Sequence, residues 1–162
     1  MKQLRLTTFA IVLAACIGCD QAAKQAAGAL LGGGERVALL GDAVRFELVS
    51  NPGAFLSLGA GLPEALRSTL LIGLVPVLLG CVLFGFVWRA QATRGELVAV
   101  ALVIGGGIGN WLDRLTHGGA VTDFVSVGLG PLRTGIFNLA DVAVMVGVAL
   151  LLLCARAAPR AR

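Results

Sequence analysis

The segment "GIFNLADVAVMVGVALLLLC", residues 135–154, poses the question on which the fold turns. From Val142 to Leu153 it is aliphatic enough for lipid, yet Asn138 and Asp141 stand at its start. A carboxylate at or near a bilayer costs several kcal/mol unless it is paired or wetted. Something elsewhere in the chain has to offset that cost.

Composition sets the class. Of 162 residues, 57% are hydrophobic and 14% charged, with a mean hydropathy of +0.91. A soluble domain carries about 25% charged residues. One all-α integral membrane domain over residues 1–162, with four transmembrane helices, is therefore expected. Four stretches approach the roughly 20 apolar residues a spanning helix needs, at about residues 4–22, 66–88, 96–113 and 136–154. The first and third are short in apolar residues and should extend into their polar flanks.

Basic residues orient these spans. Lys2, Arg5, Arg89, Arg94, Arg156, Arg160 and Arg162 flank one acid, Glu96, giving 7 − 1 = +6 on one side. The other side holds six cations (Lys24, Arg36, Arg45, Arg67, Arg114, Arg133) against eight acids, or −2, and the two sides sum to the chain's +4. Positive residues favour the cytoplasmic side, so both termini are expected there. The cations are not clustered on one soluble face, which excludes a nucleic-acid patch.

The outer side is expected to carry two loops, about residues 28–66 and 114–135. The first contains "RVALLGDAVRFELVSNPGAFLSLG", residues 36–59. Gly41-Asp42 is a turn signal between strand-like runs. A small β-structure on the outer membrane surface is expected, then a short helix starting near Pro63. The second loop is Gly-rich, ending "GLGPLRTG", and is expected to be irregular and mobile.

Polar residues collect at the outer ends of the spans. Asp20 and Lys24 of "DQAAK" are spaced i, i+4 and face each other on a helix, which alone reads as a rim salt bridge. "NPGAF", residues 51–55, alone reads as a turn. In "GNWLDRL", Asn110 and Asp113 share a face at i, i+3, with Arg114 expected to point elsewhere. "VTDF" contributes Asp123. Asp123 and Asp141 lie between apolar neighbours, without a Lys or Arg within helical reach. Two such carboxylates are what an aspartyl dyad needs, because sharing a site raises one pKa and leaves one acid and one base.

Other chemistries fit poorly. A single histidine, His117, makes a zinc site improbable, and no nucleophile elbow supports pairing it with Ser126. A Ser-Lys dyad of Lys24 with Ser50 or Ser57 competes with Asp20 for the lysine. "GGGIG" lies inside an apolar helix, so Gly105 and Gly109 read as close helix packing. Cys16, Cys19, Cys81 and Cys154 lie in apolar segments and are expected to be buried small hydrophobes, without disulfides. No metal or organic cofactor is expected.

The ordered set "DQAAK", "NPGAF", "GNWLDRL", "VTDF" and "FNLAD" resembles the lipoprotein signal peptidase (signal peptidase II) family across nearly the whole chain. The resemblance implies a bacterial inner-membrane aspartyl endopeptidase that cuts a prolipoprotein just before a diacylglyceryl-modified cysteine. Asp123 and Asp141 would be catalytic. Asp20, Lys24, Asn51, Gly53, Asn110, Asp113, Arg114, Asn138 and Ala140 would support the site or bind substrate. The partners implied are diacylated prolipoproteins and membrane lipid, and a monomer is expected. Two departures stand out: Ala23 replaces the usual Ser or Thr before Lys24, and Ala54 alone separates Gly53 from Phe55.

Two rival readings remain on sequence. A small polytopic proton- or cation-coupled carrier would also need intramembrane acids, although here they cluster at one end and no inverted repeat is visible. The N-terminal "LAAC" ending at Cys16 looks like a lipobox. "DQAAK" reads as a continuation of the same helix, so the N-terminus is expected to be retained.

Overall fold

The computed structural model describes residues 2–54, 58–87 and 92–157. Expectations falling on Phe55, Ser57, Arg89, Arg160 and Arg162 lie outside them. In chain order the elements are α1 (Lys2–Leu31), β1 (Arg36–Leu39), β2 (Val44–Asn51), α2 (Glu64–Ser68), a π-helical turn (Thr69–Leu74), α3 (Val75–Val87), α4 (Arg94–Thr116), β3 (Val121–Leu129), β4 (Leu132–Arg133) and α5 (Leu139–Ala157).

Four helical segments are long and apolar enough to cross a membrane: Arg5–Leu31, Glu64–Phe86, Arg94–Thr116 and Leu139–Ala157. The first and third do run on into their polar flanks. The short helix expected near Pro63 is present as α2, and it runs on into the second span, which begins at Glu64. That span widens into a π turn for a local reason. Pro76 has no N–H, and its ring crowds the carbonyl four residues earlier, that of Ile72. The freed Ile72 carbonyl accepts from Trp111 Nε1 of α4 at 2.9 Å.

Helix α4 is the hub, packing against α1, α3 and α5. Its glycines make this possible. A Cβ at Gly106 would overlap the Ala140 carbonyl oxygen of α5, and one at Gly105 would come within 2.9 Å of Cys16 Cβ on α1. The small-residue stripe lets three backbones approach closely. By contrast, Val77, Phe84, Met145 and Leu152 remain exposed, as lipid-facing side chains are. The cysteines follow the same logic and correct an expectation. Cys19 and Cys81 are exposed and Cys16 and Cys154 half-buried, because an apolar residue in a spanning helix need not face protein.

The strands form one antiparallel sheet in the order β1-β2-β3-β4. β1 and β2 flank the expected Gly41-Asp42 turn. The segment 114–135 is not irregular. "VTDFVSVGL" pairs with β2, bringing Val49 opposite Asp123 and Asn51 opposite Val121. Its β-branched residues fit a pleated, half-buried surface, and glycines on both sides had obscured this. Phe46, Leu48, Phe124 and Val125 pack the sheet onto Ala27 and Leu31, in the last turns of α1.

Candidate active site

The polar residues at one end of the spanning helices converge into one buried cluster. Asn138 caps α5. Its Oδ1 accepts from Asp141 N at 3.0 Å, while Asp141 Oδ2 accepts from Asn138 N at 3.3 Å. This reciprocal pair is a capping box that satisfies two donors a helix start leaves free. A third is satisfied from α1, where Asp20 Oδ1 accepts from Ala140 N at 2.9 Å. A carboxylate at a helix N-terminus also meets the positive end of its dipole.

Asp123 enters from the sheet and is 1% exposed. Its Oδ1 accepts from Asn138 Nδ2 at 2.6 Å, and its Oδ2 from Asn51 Nδ2 at 2.8 Å. Asn51 is fixed by its own turn, its Oδ1 accepting from Gly53 N at 2.9 Å. On the far side, Asn110 Nδ2 donates to Asp141 Oδ1 at 2.9 Å. Three amides thus hold two carboxylates. Among the described residues, neither carboxylate forms an ion pair.

Lys24 orients this arrangement from behind. Its Nζ lies 2.7 Å from Asp20 Oδ2, 3.1 Å from Asp113 Oδ2 and 3.0 Å from Asn110 Oδ1. A lysine only donates, so Asn110 must turn its oxygen to Lys24 and its NH2 to Asp141. The Asp20–Lys24 pair is therefore a buried strut and not the rim salt bridge its spacing alone suggested. Asp113 ties three elements together, also accepting from Gln21 Nε2 at 2.9 Å and Thr122 N at 3.0 Å.

Arg114 corrects an expectation. It does not point away but is buried, donating to Asn110 O at 3.1 Å and to Gly53 O at 2.6 Å. Four residues separate it from Asn110, which places both on one helix face. The Gly53 carbonyl and the Asn51 turn are thereby tied to α4. Gln21 and Thr122 were missed by the sequence reading, although each sits inside a motif that had been singled out. His117 ends α4, its Nδ1 3.2 Å from the Asp113 carbonyl. No group of three His, Cys, Asp or Glu among the described residues could hold a metal.

Burial pushes the Asp123 carboxyl up to about 6, with the Asp141 charge adding to the rise and the Asn51 and Asn138 donors opposing it. Beside Asp141 opens a cavity of about 520 Å³ walled by the second, third and fourth spans. Asp141, Asn110 and Arg114 stand at its polar side; Val75, Val144, Met145 and Leu152 line the rest. The arrangement offers two adjoining carboxylates, with Asp141 at the edge of an apolar groove.

Residues 12–156 match the family described as signal peptidase (SPase) II. This chain belongs to the signal peptidase II family. Family members remove signal peptides from prolipoproteins, and the carrier reading has no support. Among its signal peptidase II relatives, the lipoprotein signal peptidase of Leifsonia xyli subsp. xyli is 38% identical over 151 residues, covering 88% of this chain. The chain spans 64% of that protein's length. The lipoprotein signal peptidase of Treponema denticola is 34% identical over 135 residues, covering 81% of this chain and 78% of that protein. A bacterial membrane enzyme solved at 1.9 Å shares the fold, with a TM-score of 0.80 at 22% identity over 94% of this chain and 95% of that one.

Proposed function

We propose that this chain is an aspartyl endopeptidase that cuts diacylglyceryl-modified prolipoproteins just before the lipidated cysteine. The observation that carries this reading is the joining of Asp123 and Asp141 through Asn138 beside an apolar groove. A diacylated cysteine keeps its scissile bond near the lipid–water boundary, and its acyl chains need apolar walls. The groove beside Asp141 meets both needs. Asp20, Lys24, Asn51, Gly53, Asn110, Asp113, Asn138 and Ala140 support the site, and Arg114 holds the turn past which the peptide would lie.

In the proposed step, Asp141 takes a proton from water and the hydroxide attacks the scissile carbonyl carbon. Asp123 gives its proton to the carbonyl oxygen, consistent with its raised pKa. Collapse of the gem-diol returns one hydroxyl proton to Asp123 and breaks the C–N bond, and the amine leaves with the proton that Asp141 took from water. Each acid–base group of this kind contributes roughly 10²–10⁴ in rate. No cofactor enters the scheme. The enzyme would sit as a monomer in a bacterial inner membrane, with both termini cytoplasmic and the site at the outer face.

The test is the reaction itself. The purified chain, given a diacylated prolipoprotein, is expected to release a signal peptide and a product whose N-terminus is the lipidated cysteine, read by mass spectrometry. Equal cleavage of the unlipidated precursor would remove the acyl chains from the recognition scheme. Absence of cleavage of either precursor would overturn the activity.

A further inference from the structure

Exposed aliphatic side chains gather at the end of the sheet farthest from Asp123. Leu40, in the turn between β1 and β2, is 82% exposed. Leu129 and Leu132 pair across the β3–β4 turn and are 79% and 81% exposed. The two turns adjoin: Gly128 N donates to Ala43 O at 2.9 Å, and Arg133 Nη1 to Asp42 O at 2.6 Å. These leucines therefore form one patch. None belongs to a spanning helix or to the catalytic cluster.

Three observations bear on what covers it. Leu40, Gly41 and Asp42 have φ of 53°, 62° and 73°, three successive left-handed residues. A bulky side chain is an outlier there, and a strained backbone is kept where it has a use. Holding a leucine in that conformation only to expose it to water would be doubly unfavourable; lipid removes the second cost. Charge is the next observation. Arg45 and Arg133 share the single carboxylate of Asp42, leaving one positive charge in surplus at the patch edge. Aliphatic residues rimmed by arginine match the acyl-and-phosphate layering of a bilayer surface. Finally, the sheet is anchored on the last turns of α1 and so continues the surface of a spanning helix, whose own Leu30 is exposed.

We propose that Leu40, Leu129 and Leu132 dip into the bilayer on the side of the site, the lipid itself being the occupant of this patch. The sheet then lies along the membrane surface with its tip in lipid and its other end carrying Asn51 and Asp123. Anchoring the tip fixes the depth at which Asp123 meets α5. This inference rests on the membrane placement of the chain and not on its chemistry.

The test uses spin labels placed singly at positions 40, 129 and 132 of the full chain, with Cys16, Cys19, Cys81 and Cys154 replaced by alanine. The protein is reconstituted in phosphatidylcholine–phosphatidylglycerol vesicles. Collisions with oxygen should exceed those with a water-soluble nickel chelate at all three positions, and a label at the exposed Glu35 should give the reverse. Dominant nickel collisions at the tip would place it in water and overturn the proposal. Low collisions with both reagents would mean that protein, a second copy included, covers the patch, and would overturn it equally. A diazirine amino acid in place of Leu129 reads the same contact with the native cysteines intact. Phospholipid adducts are expected after illumination, and adducts to water or protein alone would contradict the proposal. Neither readout depends on peptidase activity.

Discussion

Asp123 and Asp141 are joined through a single residue, Asn138. Its side-chain Nδ2 lies 2.6 Å from Asp123 Oδ1, and its main-chain N lies 3.3 Å from Asp141 Oδ2. The same asparagine accepts from Asp141 N. The start of α5 and the spacing of the carboxylates are thus one structure. The several kcal/mol that Asp141 costs near lipid are offset by two hydrogen bonds accepted from Asn138 and Asn110 and by its place in the cap.

Asn138→Ala should therefore damage fold and activity together. Loss of an N-cap side chain costs about 0.5–2 kcal/mol, and the freed Asp123 loses its alignment. Misplacement of a reacting group by about 1 Å can cost on the order of 10²-fold. A lowered melting temperature with turnover down about 10²-fold is expected for the purified variant in detergent. Wild-type turnover would detach Asn138 from the chemistry.

The Lys24 cluster should behave differently. Lys24→Met leaves Asp20 and Asp113 buried without their cation, which costs about 3–5 kcal/mol, so poor recovery of folded protein is expected. Asp113→Asn removes one acceptor from the Gln21, Lys24 and Thr122 set. It should lower thermal stability while turnover per folded molecule stays within about tenfold of wild type, since general acid–base loss would exceed that. A normal melting temperature with lost turnover would move Asp113 into the reaction.

Asp123 gives a pH dependence with a definite sign. Its folded pKa of about 6 lies above the ordinary 3.8. Between those values the folded chain holds a proton that the unfolded chain has released. The contribution to stability is full below about pH 4 and is lost as pH rises through about 6. The melting temperature of wild type should therefore fall, relative to that of Asp123→Asn, between those limits. If Asp123 is the acid, turnover should also decline above about pH 6, about tenfold per pH unit at the limit. Parallel melting profiles for the two proteins would contradict the assignment.

Charge, +6 on one side against −2 on the other, predicts that both termini face the cytoplasm. A cysteine placed at the exposed Glu35, away from the leucine tip, should react with a membrane-impermeant maleimide added outside intact cells. Labelling only after the inner face is opened would invert the topology and the site with it.

Much of this site was legible in the sequence because helical spacing carries it. Asn138 and Asp141, like Asp20 and Lys24, meet through three- and four-residue spacing that needs no tertiary information. The bond between Asn51 and Asp123 spans 72 positions and depends on β2–β3 register. That register is not legible in the sequence, because the glycines on both sides of β3 mask its strand pattern. Arg114 lies four residues after Asn110, a spacing that sets both on one helix face, against the expectation that it points elsewhere. The π turn before Pro76 has its cause in the sequence, but Trp111 as the donor to the freed Ile72 carbonyl emerges only once α4 is packed.

Asparagine substitution of the aspartates is the most direct test of the dyad. Both oxygens of Asp123 and both of Asp141 accept hydrogen bonds, whereas an asparagine has one acceptor oxygen and would turn its NH2 toward a donor. Each variant should lose about 1–3 kcal/mol of stability for the unsatisfied group, so the comparison must be made per folded molecule. The measurement is turnover of a diacylated prolipoprotein by purified Asp123→Asn and Asp141→Asn. A fall of roughly 10² or more in each is expected from loss of an acid–base group. Retention by either variant of more than about a tenth of wild-type turnover would contradict the aspartyl mechanism.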